Sequence, residues 1–215
     1  MASTFEINGI KITWLGHASF KIKTPKGKVV YIDPYAGDYS EKADIILVTH
    51  DHFDHCDVGK IETCRKDDTI IVGATNVKSK VPDAEILDWW EEKEVDGIKI
   101  VAVPAYNPNK RFHPKDYKGV GWLIKINNTT IYHAGDTDLI DEMRELRGKV
   151  TVALLPIGGI YTMDEKEAAS AVEYIEPEYV IPMHYNYLEG LEKDPEEFKK
   201  LVGDKAEVVI LEPAL

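Results

Sequence analysis

The chain has 215 residues, 44% of them apolar, and a net charge of −12 from 26 basic and 38 acidic side chains. This size and composition predict a folded globular protein rather than a disordered or fibrous one. The acidic balance disfavours nucleic acid as a partner, because phosphate binding draws on many Lys and Arg side chains. No apolar run reaches the roughly 18 residues that span a bilayer, so we predict no membrane partner and a cytoplasmic location.

Two residue types are informative: cysteine, because it is rare, and glutamine, because it is absent. The two cysteines, Cys56 and Cys64, are too few for a disulfide framework in a chain of this length, and we interpret them as partly buried thiols. Glutamine is absent while Glu, Lys and Ile are plentiful, a composition typical of heat-adapted proteins. We therefore predict that the chain comes from a thermophile.

Apolar runs in the first half predict strands separated by short turns. The run within 44–49 is continuous, which is typical of a strand buried on both faces, and it leads directly into a cluster of histidines. Strands are predicted at 10–15, 17–23, 29–32, 44–49 and 69–72, with a helix at about 54–64.

The second half repeats this outline. In each half a hairpin places an aspartate, Asp33 or Asp136, at the end of a buried strand. Asp164 is the predicted N-cap of a helix. Strands are predicted at 98–103, 121–126, 130–132, 150–155, 178–183 and 207–211, with helices at 138–146, 164–175 and 195–201. Two such halves predict two packed sheets with helices outside them, in a single domain over residues 1–215.

The most informative segment is Thr49-His50-Asp51-His52-Phe53-Asp54-His55. Imidazole and carboxylate together suit Zn²⁺, Mn²⁺ or Fe²⁺. In an extended segment His50 and His52 point to the same side and can hold one ion. Asp54 and His55 follow at a turn, where they can hold a second ion beside the first.

Further candidate ligands stand just past the ends of predicted strands. Asp136 follows one buried strand and His184 follows another. A third position is ambiguous, because the strand at 98–103 leads to Asn107 and a histidine appears only at His113. These strand ends fall on one edge of the sheets, where several loops can build a single site.

In combination these motifs resemble the metallo-β-lactamase superfamily. They are the His-x-His-x-Asp-His series, Gly-Asp-Thr at 135–137 and Met-His-Tyr at 183–185, with Trp-Leu-Gly-His-Ala-Ser-Phe at 14–20 and Ile-Asp-Pro at 32–34. The last two resemble the branch of L-ascorbate-6-phosphate lactonase-like and other metal-dependent hydrolases. The resemblance implies an α/β fold, a four-layer αββα sandwich with a metal site on one edge.

The resemblance also implies the ligands. It gives His50 and His52 to a first ion and Asp54, His55 and His184 to a second, with Asp136 between them. The third histidine that the family usually supplies to the first ion falls on Asn107, a weaker ligand. Either His113 substitutes for it, or the first site has the lower affinity.

The expected cofactor is one or two divalent ions, with Zn²⁺ as the first choice and Mn²⁺ or Fe²⁺ as alternatives. Two ions about 3.5–4 Å apart can share a hydroxide that attacks a carbonyl or phosphorus centre. Asp54, which would orient that nucleophile, and His184 are the predicted catalytic residues. Asp33, His17 and His133 are candidates for contacts that orient the ligands, the alternative for the two histidines being a core position.

Three functions remain open at this point. The first is a metal-dependent hydrolase acting on a small anionic ester, lactone or phosphodiester, whose anionic group Lys110, Arg111 or Lys115 could receive. The alternatives are a nuclease or phosphodiesterase on RNA or DNA, and a metal-binding protein without catalysis. The expected partner is a small-molecule substrate, and homo-oligomerisation is left open.

Overall fold

The computed structural model describes residues 3–214 and divides them into two compact units. Unit 1 comprises residues 3–87 together with 211–214, and unit 2 comprises Asp88–Ile210. Each unit contains a seven-stranded mixed sheet within the described residues, which confirms the α/β prediction. The assignment of residues 1–215 to a single domain stays a prediction, and Met1, Ala2 and Leu215 lie outside the described residues.

The sheet of unit 1 follows the order of the chain from β1 to β7. Strands β1 to β4 pair antiparallel, and β4 to β7 pair parallel. All residues of β4 and β5 are buried, as expected for strands covered on both faces. The strands are β1 Thr4–Ile7, β2 Ile10–Gly16, β3 Ser19–Lys23, β4 Val29–Ile32, β5 Ile45–Val48, β6 Ile70–Gly73 and β7 Glu85–Ile86, with helix α1 at Val58–Cys64.

The sheet of unit 2 has the same pattern in the same order. Strands β8 to β11 pair antiparallel, and β11 to β14 pair parallel. The repeat predicted from the sequence is therefore present in the strand pairing. The elements are β8 Glu92–Val95, β9 Ile98–Pro104, β10 Val120–Ile126, β11 Thr129–His133, β12 Val152–Pro156, α2 Glu165–Ile175, β13 Tyr179–Met183, α3 Pro195–Val202 and β14 Glu207–Val208.

Helix α2 begins where its sequence predicts. The Asp164 side chain accepts hydrogen bonds from the backbone N–H groups of Lys166 and Glu167, and the Glu167 side chain accepts from the Asp164 N–H. This capping box satisfies N–H groups that lack partners within the helix. None of the helices in the described part of the chain has the length and apolarity to cross a bilayer.

Two predicted helices differ from the structure. The helix predicted at 54–64 begins only at Val58, because Asp57 caps it by accepting from Lys60 N. Asp54 and His55 precede it in a turn, in which His52 O accepts from the N–H groups of His55 and Cys56. The helix predicted at 138–146 is a short 3₁₀ helix, Asp141–Leu146.

The N-terminal and C-terminal segments of unit 1 meet at one residue of β2. Trp14 N donates to Ser3 O at 3.0 Å, and Trp14 O accepts from Ala214 N at 2.9 Å. Leu211 is buried. The last described residues are therefore part of the structure of unit 1.

Candidate metal centre

In unit 1 the predicted ligands are organised by one carboxylate, Asp33, at the end of β4. Asp33 is fully buried. Its Oδ1 accepts from Thr49 N at 2.7 Å, and its Oδ2 accepts from Thr49 Oγ1 at 2.6 Å. The same Oδ2 lies 2.7 Å from His55 Nδ1. Asp33, which we predicted from the sequence as a group that orients the ligands, is thus the centre of this network.

The hydrogen bonds of Asp33 determine which nitrogen of each histidine is protonated. A carboxylate only accepts, so the single hydroxyl proton of Thr49 goes to Asp33 and Nδ1 of His55 is a donor. Thr49 Oγ1 then accepts from His50 Nδ1, 2.9 Å away. In its neutral form each of these histidines therefore carries its proton on Nδ1 and its ring lone pair on Nε2, the arrangement found in histidines that bind metals.

Asp54 lies beside these rings. Its Oδ2 is 3.0 Å from His17 Nε2 and 3.8 Å from His55 Nε2. One candidate ligand atom from each of His17, Asp54 and His55 lies within 4.8 Å of the others. The His50 ring is 4.1 Å from the His55 ring and 4.7 Å from the His52 ring, measured between centroids. Unit 1 therefore brings its four predicted ligands together and adds His17.

In unit 2 the cluster forms around Asp136. Its Oδ2 lies 3.2 Å from His184 Nε2 and 3.6 Å from His113 Nε2. All three residues are buried. His113, which the sequence offered as a substitute ligand, is therefore placed beside the predicted bridging aspartate. His133 is bonded to backbone instead, since its Nδ1 accepts from Gly135 N at 3.1 Å.

Several residues of these clusters have unusual backbone conformations. His17, Asp33, His113 and His184 have φ values of 51°, 46°, 57° and 58°, in the left-handed region that costs a residue other than glycine about 1–3 kcal/mol. Such strain concentrates at functional sites. At Gly158 a Cβ atom would lie 2.5 Å from His184 O, so the backbone near His184 tolerates only glycine at that position.

Two lysines of the loop of residues 105–118 attach this loop to other segments of unit 2 through hydrogen bonds. Lys110 Nζ lies 2.5 Å from both Asp138 Oδ1 and Thr162 O. Lys115 Nζ donates to Glu142 at 3.0 Å. Both lysines are thus engaged by protein groups, which leaves the exposed Arg111 as the better candidate for an anionic substrate group.

The two cysteines, interpreted from the sequence as partly buried thiols, are fully buried. Burial raises the pKa of Cys56 to about 11 and that of Cys64 to about 12. Both therefore remain thiols at neutral pH, whereas a metal ligand or nucleophile would act as a thiolate.

The donor set fits a divalent ion on chemical grounds. Imidazole nitrogens and carboxylate oxygens are the ligands of Zn²⁺, Mn²⁺ and Fe²⁺. The hydrogen bond from each Nδ1 of His50 and His55 fixes the ring orientation and keeps the Nε2 lone pair for a metal. Two features were missed by the sequence interpretation: the relay through Thr49, and the left-handed conformation of four residues.

Comparison with known proteins agrees with the resemblance that the sequence motifs show. The family model for the beta-lactamase superfamily domain matches residues 11–184. A metal-dependent hydrolase of Thermococcus kodakarensis is 42% identical over 221 residues, covering 95% of this chain and 97% of that protein.

Two solved structures are similar over nearly their whole length. One, described as a metal-dependent hydrolase from Parabacteroides distasonis, has a TM-score of 0.88 at 30% identity and covers 100% of this chain and 99% of that one. The metallo hydrolase Igni18 from the hyperthermophilic archaeon Ignicoccus hospitalis has a TM-score of 0.81 at 29% identity, covering 96% of each chain.

Proposed function

The chain belongs to the metallo-β-lactamase superfamily and is a metal-dependent hydrolase, and from this premise we propose that its substrate is a small anionic ester, lactone or phosphodiester. The single observation that carries the metal-dependent chemistry of this proposal is the Asp33 network, and the exposed Arg111 supports an anionic substrate. The network directs Nδ1 of two histidines to protein acceptors and leaves Nε2 of each as the metal-binding atom.

The proposed ligands are those that the resemblance implied, together with His113. They are His50, His52, Asp54 and His55 in unit 1 and His113, Asp136 and His184 in unit 2. Zn²⁺ is the proposed metal, with Mn²⁺ or Fe²⁺ as alternatives and one or two ions per chain. A bound divalent ion lowers the pKa of its water toward ~7 and stabilises negative charge on a substrate oxygen.

The protein groups supply orientation. Asp33 and Thr49 fix the rings of His50 and His55 through the hydrogen bonds described above. Asp54 Oδ2, held by His17 at 3.0 Å, is a hydrogen-bond acceptor that can orient the attacking water. His184 lies 3.2 Å from Asp136, and we assign the catalytic roles to Asp54 and His184.

The experiment combines metal analysis with a substrate panel. We expect the purified protein to contain at least one divalent ion per chain and to hydrolyse either lactones or bis-p-nitrophenyl phosphate, which separates a lactonase from a phosphodiesterase. Asp136→Ala should abolish the activity while circular dichroism shows an unchanged fold. Near-zero metal content after mild purification, or bound metal without hydrolysis of any panel member, would overturn the proposal.

Binding of labelled RNA at low salt tests the nuclease alternative, which the net charge of −12 disfavours. We expect no binding, and tight binding would replace the small-molecule substrate with a polyanion.

A thermophilic source is part of the proposal, supported by the absence of glutamine and by the relatives in Thermococcus and Ignicoccus. The cytoplasmic location stays a prediction, and homo-oligomerisation stays open.

A further inference from the structure

We propose that Asn107, the residue in place of the family's usual third histidine, is a positioning residue that holds His113 beside Asp136. This inference rests on the proposed function, because it takes His113 to be a metal ligand. Asn107 follows β9 and is 1% exposed, and His113 is 4% exposed. The two residues close a seven-residue loop, residues 107–113.

The backbone of Asn107 closes the base of this loop. Asn107 N donates to His113 O at 2.7 Å. His113 itself has a φ of 57°, a conformation that needs support from its surroundings. The hydrogen bond to its carbonyl oxygen fixes the peptide that follows and so restricts where the imidazole can point.

The side chain of Asn107 joins the loop to a second segment of unit 2. Its Nδ2 donates to Phe112 O at 3.0 Å and to Tyr161 O at 2.6 Å. The rings of these two residues are also in edge-to-face contact, with their centroids 5.2 Å apart. Phe112, which directly precedes His113, is thus held in place through both its carbonyl group and its ring.

These bonds fix the orientation of the amide. A primary amide has two N–H donors, and here both face carbonyl oxygens, whereas a flipped amide would place Oδ1 against them. His113 Nδ1 lies 3.2 Å from the same Nδ2. The nitrogen side of Asn107 is therefore committed to the loop, and this side of the amide acts on the centre through the position of His113.

The test measures Zn²⁺ affinity by competition with a chromophoric chelator, using the full chain and Zn²⁺ alone as the probe. Asn107→Ala is expected to weaken binding by roughly 10–100-fold, the usual effect of losing a group that orients a ligand. Asn107→Ser, which keeps one donor, should be intermediate. The matched control is Asn109→Ala, which removes the same side chain from an exposed position in the same loop and should leave the affinity unchanged.

A double-mutant cycle with His113→Ala separates positioning from general stability. If Asn107 acts through His113, the double variant should bind Zn²⁺ as weakly as His113→Ala alone, since the two changes remove the same interaction. The thermal unfolding of each metal-free variant is measured in parallel.

Three outcomes would overturn the inference: additive effects in the cycle, a lower melting temperature with unchanged Zn²⁺ affinity in Asn107→Ala and Asn107→Ser, or wild-type affinity in His113→Ala. In all three the wild-type protein still binds Zn²⁺, and the proposed hydrolase function stands. Absence of Zn²⁺ binding by the wild-type protein would instead contradict the proposed function itself.

Discussion

The two units of this protein share one strand pattern but hold their ligand-type residues in different ways. In unit 1 the predicted ligands lie within the segment 50–55, and one buried carboxylate, Asp33, orients two of them. In unit 2 they are spread over residues 113–184, and the loop that carries His113 is closed by a hydrogen bond from Asn107 N to His113 O. The same sheet topology therefore supports a network centred on one carboxylate in one unit and a hydrogen-bonded loop in the other.

This difference predicts different responses to substitution. A change at the centre of a side-chain network affects every ring bonded to it, whereas a change in the loops of unit 2 acts on one loop at a time. Three variants test this contrast, and a fourth tests a carboxylate outside both ligand clusters; they follow in order of decreasing expected effect.

Asp33→Asn is expected to have the largest effect, because an amide N–H donor would replace one of the two carboxylate oxygens that accept from Thr49 and His55. His50 is affected as well, since the Thr49 hydroxyl orients it. We expect metal affinity to fall by up to ~100-fold. Isothermal titration with Zn²⁺ checks this, with circular dichroism to establish that the variant is folded. An affinity close to that of the wild type would show that unit 1 does not depend on this carboxylate.

Lys110→Met tests the loops of unit 2. It leaves Asp138, whose side chain is 8% exposed, without its counter-charge, and it removes the donor to Thr162 O. We expect the free energy of unfolding to fall by about 2 kcal/mol. Urea denaturation measures this, and Lys125→Met, at an exposed position of β10, is the control. Equal stability of the two variants would rule out Lys110 as a support for these loops.

Thr49→Val keeps the shape of the side chain but removes the hydroxyl between Asp33 and His50. Since only one histidine is affected, we expect metal affinity to fall about tenfold, or about 1.4 kcal/mol. Thr49→Ser retains the hydroxyl and should bind metal like the wild type. A loss in the Ser variant as large as that in the Val variant would attribute the effect to packing.

Asp44→Asn is expected to have the smallest effect and to leave metal binding unchanged. Burial alone would raise the pKa of Asp44, but hydrogen bonds from Val29 N, Lys66 and Lys28 outweigh it and lower the pKa below its ordinary value of 3.8. The stabilisation, about 1 kcal/mol, is therefore present above pH 3.8 and lost as the pH falls through the lower folded-state pKa.

Urea denaturation of wild type and Asp44→Asn at neutral and strongly acidic pH measures this dependence. The stability difference between them should shrink in acid. A constant difference would mean that the charge of Asp44 is not its source.

The sequence was sufficient for those parts of the site that follow from adjacency. The predicted ligands within 50–55 lie close together in the sequence, and Asp136 and His184 stand at strand ends, so the period and termination of apolar runs were enough to select them as candidates. The β-hairpins and most strands were predictable for the same reason. The start of α1 was not, because the Asp57 cap competes with Asp54, and both are aspartates.

The remaining features depend on contacts between distant parts of the chain. The tautomer of His50 is determined by Asp33, 17 positions away in the sequence, through a hydroxyl that local pattern cannot assign. The side chain of Asn107 bonds to Tyr161 O, 54 positions away. Histidine only weakly favours the left-handed φ found at His113 and His184, and its sequence position does not indicate it, because the surrounding loops impose that conformation.

The hydrogen bond from Ala214 to Trp14 has a consequence for the order of folding during synthesis. Unit 1 includes residues 211–214, which leave the ribosome after all of unit 2. At translation rates of about 5–20 residues per second, residues 211–214 are synthesised several seconds after the strands of unit 1. Unit 1 is therefore completed only after unit 2 has been synthesised, although all of its strands come first in the sequence, whereas domains usually mature in the order of synthesis.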